Sequence, residues 1–366
     1  MAAARALAVA APDLLLVFGA TPFFESPDLL EALRHAMPDT VVAGCSTAGE
    51  IAAREVREGT CAITAVAFGH TTVRAAATPL ASMADSRGAG ERLARDLPPA
   101  GLVAVLVLGT GVRINGSALV RGLQDSLPRG VRISGGLAAD GGRFERTWTM
   151  GTLGARDDQV VAIGFYGERL AVRQGSFAGW VPFGPARKVT RCVDNILHEL
   201  DGERALDIYT RYLGDYARDL PASGLLFPFE MVSRNRENRG IFRTILGVNA
   251  TDGSLILAGE IDPEGYLKLM HSNTERLIDG AESAARAALG EARPAGPSLA
   301  LLVSCVGRKL VMGNRVEEEV ECVADLLGAD ATIAGFYSNG EIAEGGPPGE
   351  CRLHNQTMTI TLLSER

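Results

Sequence analysis

Val41-Val-Ala-Gly-Cys-Ser-Thr-Ala-Gly-Glu-Ile51 is the stretch from which the fold follows. Val41-Val-Ala43 has the β-branched character of a buried strand. Gly44 marks a place where another backbone comes close, and Gly49 a turn. A second stretch near the other end, Thr332-Ile-Ala-Gly-Phe-Tyr-Ser-Asn-Gly-Glu-Ile342, keeps the same spacing: Gly335, Gly340, Glu341 and Ile342 repeat Gly44, Gly49, Glu50 and Ile51. A looser version runs Val131-Arg-Ile-Ser-Gly-Gly-Leu-Ala-Ala-Asp-Gly141. One structural unit is therefore used several times.

Around each signature the chain reads as strand, helix, strand, turn, strand. In the first unit these are Leu14–Phe18, a helix opened by Ser26-Pro27-Asp28, the signature, and Cys61–Phe68, with Ala2–Ala11 a helix ahead of them. In the second they are Leu102–Leu108, a helix capped by Asn115, Val131–Ser134 and Val160–Phe165. Ser82–Leu97 reads as a preceding helix and Arg143–Met150 as a hairpin arm. In the last unit they are Leu299–Cys305, a helix with a capping box at Asn314 and Glu317, the signature, and Thr357–Leu363. Pro182-Phe-Gly-Pro185 reads as a break. Beyond it come a strand over Val189–Leu200, an amphipathic helix in Glu203–Ala217, several short strands, and a helix with Ser272 and Glu275 as its capping box. The expected fold is α/β: mixed sheets with helices and internal pseudo-repeats, in two domains, 1–185 and 186–366.

Composition narrows the function. A chain of 366 residues with net charge −8 and 5% aromatic residues suits neither nucleic acid nor an anionic membrane surface. No window approaches the roughly 18 apolar residues of a membrane span. The six cysteines lack C-x-x-C or zinc spacing, and their density argues against a disulfide framework. These features imply a cytoplasmic protein.

The two signatures resemble the hallmarks of a known family. Gly44-Cys-Ser-Thr-Ala-Gly-Glu-Ile51 is similar to that of the N-terminal FIST sensory domain. Ser304-Cys-Val-Gly-Arg-Lys309, Gly313–Glu318 and Gly335-Phe-Tyr-Ser-Asn-Gly-Glu-Ile342 are similar to those of the C-terminal FIST domain. Gly179-Trp180, Pro182-Phe-Gly184, Leu200-Asp-Gly202 and Asp279-Gly-Ala281 extend the resemblance along nearly the whole chain. It implies a bacterial ligand-sensing protein of signal transduction that binds small molecules such as amino acids. Some stand-alone members resemble haem-binding nitric oxide sensors that modulate partner histidine kinases, which makes haem b a candidate cofactor and a histidine kinase a candidate partner. The resemblance also implies a strand ahead of the first helix. Here the sequence begins almost at that helix, so either the start lies upstream or one sheet lacks an edge strand.

Ligand is expected at the carboxyl ends of the repeated strands, between the glycine turns. On the first turn the candidates are Cys45, Ser46, Thr47 and Glu50; on the last they are Tyr337, Ser338 and Glu341. Cys45 is either a nucleophile, giving a hydrolase or transferase, or a small buried residue. Glu50 and Glu341 either bind a ligand ammonium group or act as acid and base, or each caps its own turn. Arg308 and Arg315, with Lys309, suit a small carboxylate, unless Arg308 pairs on the surface with Glu317 or Glu318. His271, leaving an apolar strand before a capped helix, is the candidate haem-iron ligand.

Overall fold

In the computed structural model, residues 11–235, 237–345 and 349–366 are described, so the expected helix over Ala2–Ala11 falls almost wholly outside them. The first unit comprises β1 (Leu14–Gly19), α1 (Asp28–Ala36), β2 (Val41–Ser46), a short hairpin β3 (Glu50–Ala52) and β4 (Glu55–Arg57), and β5 (Cys61–Val66). β6 (Thr72–Pro79) and α2 (Ser86–Asp96) lead to the second unit: β7 (Leu102–Gly109), α3 (Gly116–Ser126), β8 (Arg132–Leu137), hairpin β9 (Thr149–Gly151) and β10 (Gly154–Arg156), and β11 (Gln159–Tyr166).

After β12 (Leu170–Phe177) an inserted sheet is built from β13 (Val181–Val193), β14 (Ile196–Leu200), β15 (Glu203–Arg204), β16 (Phe229–Val232), β17 (Asn238–Arg243), β18 (Ile245–Asn249), β19 (Ser254–Leu257) and β20 (Tyr266–His271). α4 (Ala205–Leu213) packs on it. Then come α5 (Thr274–Leu289) and the third unit: β21 (Ser298–Cys305), α6 (Val306–Met312), α7 (Glu317–Leu327), β22 (Ala331–Ser338), hairpin β23 (Gly340–Glu344) and β24 (Cys351–His354), and β25 (Met358–Glu365).

The expected mixed sheets and pseudo-repeats are present, and the repeats exchange parts in a cycle. Each unit forms its own sheet from two parallel strands and one antiparallel strand: β2-β1-β5, β8-β7-β11 and β22-β21-β25. The hairpin of each unit leaves for another sheet. β3 pairs with β22, β9 with β2, and β23 with β8. β6 and β12 continue the traffic by lying antiparallel on β11 and β25. Among the described residues the equivalent edge of β5 carries no strand, so the first sheet has five strands where the other two have six.

The three sheets turn their inner faces to one core holding Leu16, Phe18, Leu106, Ile163, Val303 and Phe336. Phe18 and Phe336 stack there with ring centroids 4.7 Å apart. Helices cover the outer faces: α1 the first sheet, α2 and α3 the second, α5 and α7 the third.

Several local expectations change. Pro182–Pro185 does not break the chain; it is a bulge within β13, between the pairs Val181–Pro182 and Ala186–Lys188. Val189–Leu200 is two strands joined by a turn at Asp194, whose φ is 52°. The cap of α5 is Asn273, whose side chain accepts from Arg276 N, while Ser272 donates to Gly179 O. α7 starts without a side-chain cap, because Gly313–Arg315 forms a 3-10 turn that feeds directly into it. Asn115 caps α3 as expected.

Candidate functional site

The signature turns meet at the centre of the repeats. Gly44, Gly135 and Gly335 face the carbonyl of their partner in the adjacent parallel strand: a Cβ at each would lie 1.9 Å from Val17 O, Val107 O and Leu302 O respectively. The turns that follow bond to one another in a ring. Ala48 N donates to Tyr337 O, Ala139 N to Ser46 O, and Asn339 N to Leu137 O. Tyr337 N returns a bond to Gly49 O. The first and last turns therefore interlock through backbone, with no gap between them for a ligand.

Their side chains serve the same end. Glu50 accepts from Thr47 Oγ1 at 2.6 Å, and from Thr60 N at 3.2 Å and Thr60 Oγ1 at 2.6 Å. Glu341 repeats this with Ser338 Oγ at 2.7 Å and with Thr357 N and Oγ1 at 3.0 and 2.9 Å. Each carboxylate ties its turn to the closing strand, as the structural alternative expected. Burial pushes the Glu341 carboxyl up to about 7, the three donors acting against it. Ser46 Oγ donates to Ala139 O and accepts from Trp148 N. Cys45 lies in the central apolar core, where burial pushes its thiol well above the usual range, opposite to what a nucleophile requires.

The arginine expectation is corrected. Arg308 is fully buried and pairs with Glu319 at 2.7 Å, not with Glu317 or Glu318 at the surface. Its guanidinium also donates to Ala178 O and Leu277 O, and Glu319 accepts from Ser304 Oγ at 3.0 Å and from Tyr337 Oη at 2.5 Å. The network is closed and offers nothing to a ligand. Arg315 is exposed and engaged by Glu275 and Glu318. Lys309 Nζ sits 2.5 Å from both Ala48 O and Glu58 Oε1, bracing the first turn.

A haem would need an axial histidine facing an apolar slot. His271 is half-buried on β20, its ring edge-on to Phe183 at 5.4 Å, and it lines none of the five cavities described for the protein. Among these cavities, no apolar slot adjoins the His271 ring.

Two of the sequence-predicted residues do border open space. Thr47 and Glu50 line a cleft of about 250 Å³ together with Asp140 and Arg143. Asp140 is fixed by the backbone N–H groups of Phe144, Glu145 and Arg146.

A larger cavity, of about 520 Å³, escaped sequence reasoning. It lies where α3 of the second repeat, the β16–β17 edge of the inserted sheet and β24 of the third repeat converge. Arg243, the last residue of β17, is only 5% exposed and lines it. The guanidinium donates to three backbone carbonyls: Glu260 O at 2.9 Å, Phe242 O at 3.0 Å and Leu353 O at 3.5 Å. No carboxylate oxygen of the described residues lies within ion-pair distance of it. Burial lowers its pKa to about 10, with the charge of Arg352 adding to the effect and Glu260 opposing it. The other arginines of the cavity are already matched, Arg121 with Glu260 at 2.6 Å and Arg352 with Glu350 at 2.9 Å. A basic residue ending the apolar run Ile241-Phe242 was the signal that the sequence offered.

The FIST N domain matches residues 13–203 and the FIST C domain residues 205–344. No curated protein matches the chain. A solved structure, cyanuric acid hydrolase from A. caulinodans, aligns over 81% of this chain and 99% of its own at 12% identity. Its TM-score of 0.20 is too slight a likeness to bear on fold or chemistry. Two family domains in sequence, each a sensory module of signal transduction, place this chain in the FIST family.

Proposed function

We propose that this protein senses a small carboxylate-bearing molecule, such as an amino acid, in the 520 Å³ cavity, with Arg243 as the group that reads the carboxylate. One observation carries the reading: a guanidinium nine-tenths buried, facing a cavity and holding no counter-ion among the described residues. An arginine desolvated in this way gains more from a bidentate carboxylate than an exposed one, because the partner restores charge balance where water is excluded. Glu260, paired with Arg121, and Asp262 line the same cavity and give it a negative rim toward which an ammonium group would be drawn.

The cavity's walls explain how occupancy becomes a signal. They come from the repeats and from the inserted sheet, so a ligand held between them favours one arrangement of the two over others. That difference is what a partner protein, such as a histidine kinase, would read. All six cysteines are unpaired, which supports a reducing, cytoplasmic setting. Among the described residues no helix is long and apolar enough to cross a membrane. A hydrolase using Cys45 gains no support from so buried a thiol, and Cys45→Ala is expected to leave binding unchanged.

Isothermal titration of the purified protein against the proteinogenic amino acids and short dicarboxylates tests the proposal. At least one should bind stoichiometrically. Arg243→Gln should weaken it at least tenfold, since a charge-assisted hydrogen bond contributes about 1.5–3 kcal/mol, and Arg243→Lys should retain part of the affinity. Undiminished binding in a folded Arg243→Gln protein would overturn the assignment.

A further inference from the structure

Alternate residues of a strand face opposite sides, and two strands use this to divide the interior. On β17, Arg243 lines the carboxylate cavity while Phe242 lines another. On β24, Leu353 lines the first and His354 the second. The second cavity, of about 350 Å³, has Trp180, Phe242 and Phe177 among its walls and Glu230, Glu344 and His354 as its ionisable groups. Among the described residues no lysine or arginine lines it.

His354 is 4% exposed; among the described residues no well-formed hydrogen bond reaches either ring nitrogen, and only the Ala343 backbone partly meets the ring. That is an expensive arrangement for a buried imidazole unless something else meets it. Glu230 is 5% exposed, and its ion pair with Lys268 Nζ is long, at 3.7 Å, the ammonium being bonded to Asn238. Glu344 is matched by Arg132 at 2.9 Å, and the Trp180 indole N–H is taken by Gln356 O. The capacity left open among the described residues is thus a carboxylate held only loosely by Lys268 and a neutral imidazole, bounded by aromatic rings.

We infer that this cavity is a second ligand site, and that it takes an organic ammonium ion with a compact apolar body. Glu230 accepts from the ammonium group and His354 accepts through its unprotonated nitrogen. Trp180 and Phe242 cover the apolar part, and aromatic walls favour a cation over an anion. The inference does not rest on the Arg243 reading, although the charge of Arg243 reaches His354, and its failure would leave that reading standing.

Trp180 supplies the readout, since the chain has only one other tryptophan, Trp148. In a Trp148→Phe background, propylamine, putrescine, phenethylamine and tetramethylammonium would be titrated while indole fluorescence is followed. At least one should give a saturable change, and Glu230→Gln should weaken it at least tenfold. If Glu230→Gln fails to fold, the His354 ring resonances of the unmodified protein provide a second measure and should shift on amine addition. The inference is overturned if no amine saturates at millimolar concentration, if acetate produces the same change, or if Glu230→Gln binds as tightly as the parent.

Discussion

Glu341 and His354 stand opposite each other in the antiparallel pairing of β23 with β24, and burial moves their titrations in opposite directions. Glu341 rises from 4.5 to about 7, while His354 falls from 6.5 to about 4, burial acting first and the charges of Arg243 and Arg352 adding to it. The stability linked to Glu341 is complete below pH 4.5 and is lost as pH climbs towards 7, because only the folded state keeps the proton. The stability linked to His354 is complete above pH 6.5 and is lost as pH falls towards 4, because only the unfolded state takes the proton. Between pH 4.5 and 6.5 the two slopes cancel. A tenfold change in proton affinity corresponds to about 1.4 kcal/mol, so removing either group exposes roughly 2–3 kcal/mol of pH dependence. Relative to the parent, Glu341→Gln should gain stability with rising pH across this window and His354→Gln should lose it. Urea midpoints measured at half-unit intervals would show this. Parallel curves for the parent and both variants would refute the pairing.

Gly44 is predicted to be irreplaceable for a purely steric reason. An added Cβ would stand 1.9 Å from Val17 O and 2.8 Å from both Val17 C and Val17 Cβ, in a strand held in register on both edges. Gly44→Ala should therefore cost more than about 3 kcal/mol, above the usual range for overpacking. Gly335→Ala meets the same obstacle at Leu302 O. Gly296, which has open space around it, should accept alanine within about 0.5 kcal/mol. Chemical denaturation of the three variants checks the ranking, and a mild Gly44→Ala would mean that the strands separate more readily than their pairing implies.

What the sequence made legible was whatever a residue type encodes locally. Glycine spacing gave the close strand approaches at Gly44 and Gly335, and Asn115 announced its helix. The cyclic exchange of hairpins was not legible, since three residues such as Glu50–Ala52 carry too little pattern to name β22 as their partner. Glu317 and Glu318 are the expected surface partners of Arg308, yet it is Glu319, on one helix face with Val323 and Leu327, that turns inward to Arg308. The i, i+4, i+8 spacing of Glu319, Val323 and Leu327 is the signal that marks the inward face. Arg243 was hidden differently. Its importance lies in the absence of a partner, and a sequence does not show which carboxylates fail to arrive.

The Arg308–Glu319 pair should behave as a structural unit with no role in ligand binding. Removing one partner leaves a buried charge uncompensated, so Glu319→Gln and Arg308→Met should each cost roughly 3–5 kcal/mol. Combining Arg308→Met with Glu319→Leu should cost less than the sum of the single changes, since neither charge is then stranded. Any variant that still folds should bind carboxylate ligands with unchanged affinity. A stable Arg308→Met protein that has lost such binding would return Arg308 to the site and displace Arg243 from it.

Arg243 and His354 provide the last test, because the charge of the first helps to hold the second neutral. A carboxylate seated on Arg243 cancels part of that field, so the His354 pKa must rise when ligand binds. Linkage then requires the converse, that protonating His354 tightens the ligand. Binding at pH 5.5 should accordingly take up a fraction of a proton. Calorimetry in two non-carboxylate buffers of different ionisation heat measures that uptake directly. Glu260, Arg352 and Glu350 border the same cavity and will contribute some of it, so His354→Gln serves as the control. The uptake should shrink in that variant while the affinity at pH 8 stays the same. Equal uptake in parent and variant, or proton release in the parent, would show that no charge of the ligand comes to rest on Arg243.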